Sequence, residues 1–202
     1  MKIFLTFFLT VSLMVLQGCY VSKPLDRDVH ISLSADFPVV IKNTGNSNFV
    51  AKHTEAEYRS AFMDQLTKEL GFNHVIVDGA APEFIVKVTS LELHESTKMD
   101  TVKDVKSKDN GMVRELTLAG LKASGTVTKN SGGNAGTWDA EKGKDEKLTH
   151  NQSLDQIIAG ENKDNSQYRE KNFDDNEFIH LSSLCGRRAA VRIEKEIRKQ
   201  LQ

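Results

Sequence analysis

The chain has 202 residues, of which 39% are apolar and 27% charged, with 3 prolines and 2 cysteines. That length fits one ordinary domain, or a domain carrying an elaborate insertion. Formal charge is −1, and Lys2 is the only charged residue before Cys19, so a chain starting at Cys19 carries 26 basic and 28 acidic residues, a net of −2. Such a balance leaves no electrostatic footprint for nucleic acid, and none is expected as a partner.

Lys2 is followed by IFLTFFLTVSLMVL, residues 3 to 16, a run that is nearly all apolar. A helical membrane span needs about 20 such residues, so this run is short for one. A single positive charge, a short apolar core and a small residue near its end make a secretory signal. Ordinary cleavage before Cys19 would place Leu16 at −3 and Gly18 at −1, and leucine fits that position poorly. Leu16-Gln17-Gly18-Cys19 instead resembles the lipobox of bacterial lipoproteins. The resemblance implies that the Cys19 thiol receives a diacylglyceryl group, that residues 1–18 are then removed, and that in Gram-negative bacteria the new amine is acylated with a fatty acid such as palmitate. Two or more acyl chains hold a protein on a membrane stably, whereas one does so only marginally. Position +2 is Tyr20 and not aspartate, which in enteric-type sorting implies the outer membrane, with the domain facing the periplasm. The plainer alternative is a simple signal peptide with an incidental cysteine. Residues 19–28 then form a tether, and the nine residues after Cys19 reach about 30 Å when extended.

From there the elements follow in order. VHISLSA, 29 to 35, alternates as a half-buried strand, with Val29, Ile31, Leu33 and Ala35 on one face. A short apolar patch, 39 to 41, precedes the turn-rich NTGNSN. Thr54 and Glu57 have capping-box spacing, and Tyr58, Phe62, Leu66 and Leu70 recur every fourth residue, which predicts a helix over 54–70. Gly71 is placed to end it in the left-handed conformation, with Phe72 folding back onto Leu66. HVIV, 74 to 77, is a short strand, and EFIVKVTSLEL, 83 to 93, a longer one. The change of phase between Val88 and Leu91 predicts a bulge near Ser90. Residues 96–111 read as a mobile hairpin connection, 112–128 as a strand with a bulge at Gly120, and TWDA, 137 to 140, as the start of a strand that pairs back. Residues 141–176 read as a polar insertion, solvated or partly disordered, within which SLDQIIAG is allotted one or two helical turns. Phe178, Leu181, Cys185, Ala189, Ile193, Ile197 and Leu201 form the stripe of a long amphipathic helix over 176–201, with Asp174 and Glu177 placed to cap it. The expectation is an α+β domain over 29–202: a mainly antiparallel sheet of about four to five strands with two helices packed on one face.

Chemistry is sparse by comparison. His30, His53, His74, His94, His150 and His180 are dispersed, without HExxH spacing or a CxxC partner. Metal ligands gathered from distant positions remain an open alternative. There is no GxSxG, GxxxxGK[ST] or GxGxxG, SGGNAG sits in a hairpin context, and the DNG at 109–111 lacks the first carboxylate of a calcium loop. No cofactor, metal or catalytic residue is expected. Cys185 lies on the helical stripe, where a buried, inert thiol is preferred to a reactive one or an intermolecular bridge. Trp138 is read as a core residue before a binding hot spot, and the basic face of the last helix as solvated before a contact with lipid headgroups or peptidoglycan.

The helix end LTKELGF, followed by HVIVDGAAPEFIVKVTSLEL, two further strands and a C-terminal amphipathic helix, resembles a group of small envelope lipoproteins. Its fold is shared by the N-terminal domain of TolB, the activator lipoproteins of penicillin-binding proteins, and lipoproteins of curli and exopolysaccharide secretion. The resemblance implies a non-enzymatic accessory or assembly subunit of a cell-envelope machine, anchored through Cys19, with an envelope protein as partner and homo-oligomerisation as a further option. Two rival readings stand beside it: a periplasmic or surface module binding glycan, peptidoglycan or a small molecule, and an enzyme.

Overall fold

The computed structural model describes residues 24–78, 81–101, 103, 105–106, 110–111, 113–152 and 175–202. Six strands, β1 (Val29–Ser34), β2 (Val39–Thr44), β3 (Val75–Val77), β4 (Phe84–Thr101), β5 (Val113–Lys129) and β6 (Gly136–Gln152), form one sheet, and two helices, α1 (Glu55–Phe72) and α2 (Glu177–Leu201), pack on it. The α+β class with two helices is therefore as expected. The sheet order is β3-β1-β4-β5-β6, with β2 also paired to β4.

The two long ladders, β4–β5 and β5–β6, are antiparallel, while β1 pairs in parallel with both β3 and β4, and β2 in parallel with β4. The sheet is thus mixed, and it has more strands than expected. β1 and β2 lie end to end on one edge of β4: Ile31 to Ser34 face Phe84 to Lys87, and Val39 to Thr44 face Leu91 to Ser96. The break between them, closed by Pro38, is bridged by the Leu91 amide donating to the Pro38 carbonyl at 3.1 Å. Beyond Val39 the residues of β2 are exposed. It is held by its ladder to β4 and not by burial, so its apolar patch at 39–41 shows no alternation to mark it as a strand.

The predicted bulge falls between Val88 and Ser90. It returns Leu91, Leu93 and Glu95 to the face of Phe84, Val86 and Val88, so that all six side chains are buried on one side. The bulge expected at Gly120 is absent: register runs through it to His94 on one side and Gly143 on the other. Thr117, Ala119, Leu121, Ala123 and Val127 keep one parity and are buried, while Leu118 turns to the opposite face and is half-buried. An apolar residue on that other face, Leu118 gives the sequence the look of a phase change at Gly120.

Residues expected as loops extend the strands. β4 continues to Thr101 and β5 resumes at Val113, so much of the 96–111 connection is ladder. Residues 141–152 of the presumed insertion are the outer half of β6. An edge strand takes its hydrogen bonds from one neighbour and tolerates polar side chains on both faces; lysines there also discourage pairing with other chains. SLDQIIAG and Asp174 lie outside the described residues.

Tyr58, Phe62, Leu66 and Leu70 of α1 are buried, as are Phe178, Leu181, Cys185, Ala189, Ile193 and Ile197 of α2. The α2 stripe stops at Ile197, since Leu201 is exposed. The capping box is present: Thr54 N–H donates to Glu57 Oε2 at 2.7 Å, and Glu57 N–H to Thr54 Oγ1 at 3.3 Å. The other end of α1 differs from expectation. It runs on through Gly71 and Phe72, and the residue with positive φ is His74, at 63°. Phe72 does not fold back but stays 65% exposed. At α2 the N-cap is Asn176, and Glu177 is buried in the first turn.

Two glycines set close approaches. A Cβ on Gly186 would overlap the Phe62 carbonyl oxygen, so this residue is where α2 meets the backbone of α1. Nearby, Ser183 Oγ donates to the Ala61 carbonyl at 3.3 Å. A Cβ on Gly125 would overlap both the Lys87 carbonyl and the ring of Trp138, its register partner on β6. Trp138 thus lies across a glycine and is buried in the core, as expected.

Candidate functional site at the tethered end

Cys19 and Tyr20 lie outside the described residues. Among the described residues, the first that is buried is Leu25. Its amide donates to the Asn73 carbonyl at 3.3 Å, and the Val29 amide donates to the His74 carbonyl at 2.8 Å. Residues 25–29 therefore run along the turn that links α1 to β3, and the left-handed His74 makes that turn tight enough for both strands to start side by side. The described chain thus enters the domain beside Asn73.

This end gathers paired charges. Arg27 reaches Glu83 with two nitrogens, at 2.8 and 2.6 Å. His30 Nδ1 lies 2.6 Å from Asp78 Oδ2, and His74 Nδ1 lies 2.8 Å from Asp28 Oδ1. The Arg27 guanidinium holds the Glu83 carboxyl below the usual carboxylate range, by hydrogen bonding first and by its charge second. These groups are largely exposed, so the pairs orient the chain entry more than they stabilise it. None combines into a ligand set: among the described residues no group of three or more His, Cys, Asp or Glu is placed to hold a metal ion.

The other histidines are dispersed. His53 packs edge-on against Tyr58 and lies 3.5 Å from Glu57, His94 lies 3.3 Å from Glu92, and His180 is exposed on α2. Cys185 is buried, as expected. Its Sγ donates to the Ala140 carbonyl at 3.6 Å, and burial pushes the thiol up to about 12. Several basic side chains of α2 are engaged within the chain: Arg187 with Glu69, Arg188 with the Glu141 carbonyl, Arg198 with Glu194 and Lys199 with Glu196.

Sequence reasoning missed a buried polar seat at the other end of the domain. Glu95 is 1% exposed, on the parity of Leu91 and Leu93. Its Oε2 accepts from the Val50 amide at 2.7 Å, and Tyr58 Oη donates to the Val50 carbonyl at 2.8 Å. Ser47 Oγ lies 2.9 Å from Thr117 Oγ1. Together these groups pin the 45–53 loop across β4 and β5. Burial, reinforced by the charges of Glu57 and Glu95, pushes the Tyr58 hydroxyl up to about 12. An acid continuing an apolar alternation was the available signal. The arrangement fastens the loop through Glu95 Oε2, while Glu95 Oε1 is buried with no hydrogen-bond partner among the described residues.

No helix among the described residues is long and apolar enough to cross a membrane. No protein-family model matches the chain. No curated protein matches it either. Among solved structures it is similar to rare lipoprotein B from Shewanella oneidensis, at 12% identity over 82% of this chain and 96% of that one, with a TM-score of 0.36. It is also similar to a neuraminyllactose-binding hemagglutinin homolog from Helicobacter pylori, at 12% identity over 88% and 89%, with a TM-score of 0.39. A minor lipoprotein from Acinetobacter baumannii matches at 12% identity over 85% and 94%, with a TM-score of 0.34. At such TM-scores the functional reading is left to the chain's own residues.

Proposed function

We propose that this chain is a lipid-anchored protein of the bacterial envelope, attached through Cys19 to the outer membrane, and that its domain is a non-enzymatic accessory subunit that docks an envelope protein partner. The observation that carries the reading is the opening segment: one charge, a short apolar run and Leu16-Gln17-Gly18-Cys19, six residues before the buried Leu25. A tether of that length spans about 20 Å, so the domain would work against the membrane surface. Tyr20 at the position after Cys19 supports the outer membrane. The non-catalytic part draws support from the inert environment of Cys185 and from His30, His53, His74 and His94, which each sit beside a single carboxylate, and His180, exposed on α2; the side chain of His150 lies outside the described residues.

Two measurements test it. Mass spectrometry of the N-terminal peptide from membrane-extracted protein should give Cys19 as the first residue, carrying a diacylglyceryl group and an N-acyl chain. An uncleaved, unmodified Cys19 would overturn the anchor. Crosslinking in intact envelopes followed by pull-down should recover one dominant protein partner. Recovery of none, with the protein monomeric at high concentration, would overturn the accessory role.

A further inference from the structure

We infer that Phe72 is a second, noncovalent membrane contact: its ring enters the headgroup region of the lipid surface to which Cys19 tethers the domain. This rests on the lipid-anchor reading above. Seven other described aromatic residues, Phe37, Phe49, Tyr58, Phe62, Phe84, Trp138 and Phe178, are buried. Phe72 is the aromatic side chain left in water among the described residues, at 65% exposure. Its place in the fold matters more than its exposure, because lone exposed apolar residues are ordinary. Phe72 immediately precedes Asn73, whose carbonyl takes the Leu25 amide where the described chain enters the domain. Consecutive Cα atoms are about 3.8 Å apart, so the ring is rooted beside that entry.

From Leu25 back to Cys19 the chain can extend about 20 Å and no more. A lipid on Cys19 therefore keeps this end of α1 next to the bilayer at all times, and no other surface is presented to the ring at comparable effective concentration. The surroundings suit a lipid surface. At 65% exposure most of the Phe72 side chain is uncovered by the domain. Lys68 is exposed one turn earlier on the same helical face, which places an ammonium group within reach of lipid phosphates while the ring meets the acyl boundary. The left-handed closure that the local sequence marks at Gly71 falls at His74 instead, with the His74 amide donating to the Gly71 carbonyl, and Phe72 is left exposed.

The test uses the full lipidated protein in vesicles of phosphatidylethanolamine and phosphatidylglycerol. Phe72→Trp adds an indole to the one at Trp138, and subtraction of the unsubstituted protein isolates its emission. The expected result is blue-shifted emission from residue 72, quenched several-fold more by lipids brominated on their acyl chains than by aqueous acrylamide. In the unsubstituted protein, amide exchange over residues 69–74 should slow several-fold on vesicles relative to detergent micelles. Emission at the position of an exposed indole, quenched by acrylamide and untouched by brominated lipid, overturns the inference while leaving the anchor intact. Quenching by brominated lipid that fades when the protein is diluted in the vesicle assigns the ring to a second copy, and also overturns it. Mass spectrometry of the same preparation separates the two readings: an unmodified Cys19 removes the anchor, and the lipid contact with it.

Discussion

Replacing Gly186 with alanine tests the packing of the helical layer. In an open helix the change is favourable by about 1 kcal/mol. At this position the new methyl group would overlap the Phe62 carbonyl oxygen and stand 3.2 Å from both Phe62 C and Leu66 N. These are backbone atoms of α1 and cannot rotate away. Carbon contacts rest at about 3.5–4.0 Å, so the helices must part by roughly 1 Å, which forfeits about a quarter to a half of the dispersion energy of each contact across the seam. Overpacking of this kind costs about 1–3 kcal/mol beyond any local gain. The expected net effect of Gly186→Ala is a loss of about 2 kcal/mol, or about 4–8 °C in Tm for a domain of this size. Gly71→Ala is the control. It is also helical but has nothing within 4 Å of the new atom, and should gain about 0.5–1 kcal/mol. Urea unfolding followed by circular dichroism reads both. Gly186→Ala as stable as the parent, or more stable, would refute the close crossing of α1 and α2.

Three other outcomes follow from the same geometry. Glu95→Leu removes the acceptor of the buried Val50 amide, at a cost of about 1–3 kcal/mol, and exchange at that amide should accelerate; Glu95→Gln, which keeps an acceptor, should change it far less. Cys185 should resist iodoacetamide at pH 8 in the folded protein and react promptly in urea, because burial holds the thiol near 12; modification without unfolding would contradict its placement. The Glu57 carboxyl is held below its ordinary 4.5 by hydrogen bonds to Thr54. Because its folded pKa is the lower one, its stabilisation is complete above the unfolded value and is lost as pH falls through the folded value. The stability difference between the parent and Glu57→Gln should therefore shrink as pH is lowered below about 4.5; a constant difference down to pH 3 would count against the capping box.

What the sequence disclosed depended on burial. Phe62 and Leu66, or Ile193 and Ile197, could be read because a face buried against a partner imposes its period on residue type. The outer half of β6 could not, and β2 showed only as an apolar patch at 39–41, because an edge strand is held by backbone hydrogen bonds and need not alternate. Leu118 misled for the converse reason: an apolar residue on the open face of a sheet imitates a change of phase. At the candidate site, the proposed anchor at Cys19 rests on a motif, whereas the turn that receives Leu25 left no such mark in the sequence. Gly71 followed by Phe72 reads locally as a helix end, yet the left-handed residue is His74, placed there by the pairing of Val29 with Val75. Glu95 was hidden by the ordinary expectation that an acid marks a solvated position.

β4 also sets a distance. It starts at Phe84, near the chain's entry, and ends at Thr101, where Met99 on the parity of Leu93 and Glu95 is already 56% exposed. Eighteen residues at about 3.3 Å each make a rod of roughly 55–60 Å. If Cys19 is held in a membrane, the end of the β4–β5 ladder at Thr101 and Val113 lies a rod's length from the chain's entry beside Asn73. Lengthening β4 and β5 by two residues each would move that end by about 7 Å and leave every side chain on its own face. A partner met at that end would have to sit at the distance the rod dictates, so the length of this ladder, more than any single side chain on it, would decide which neighbours in the envelope come within reach.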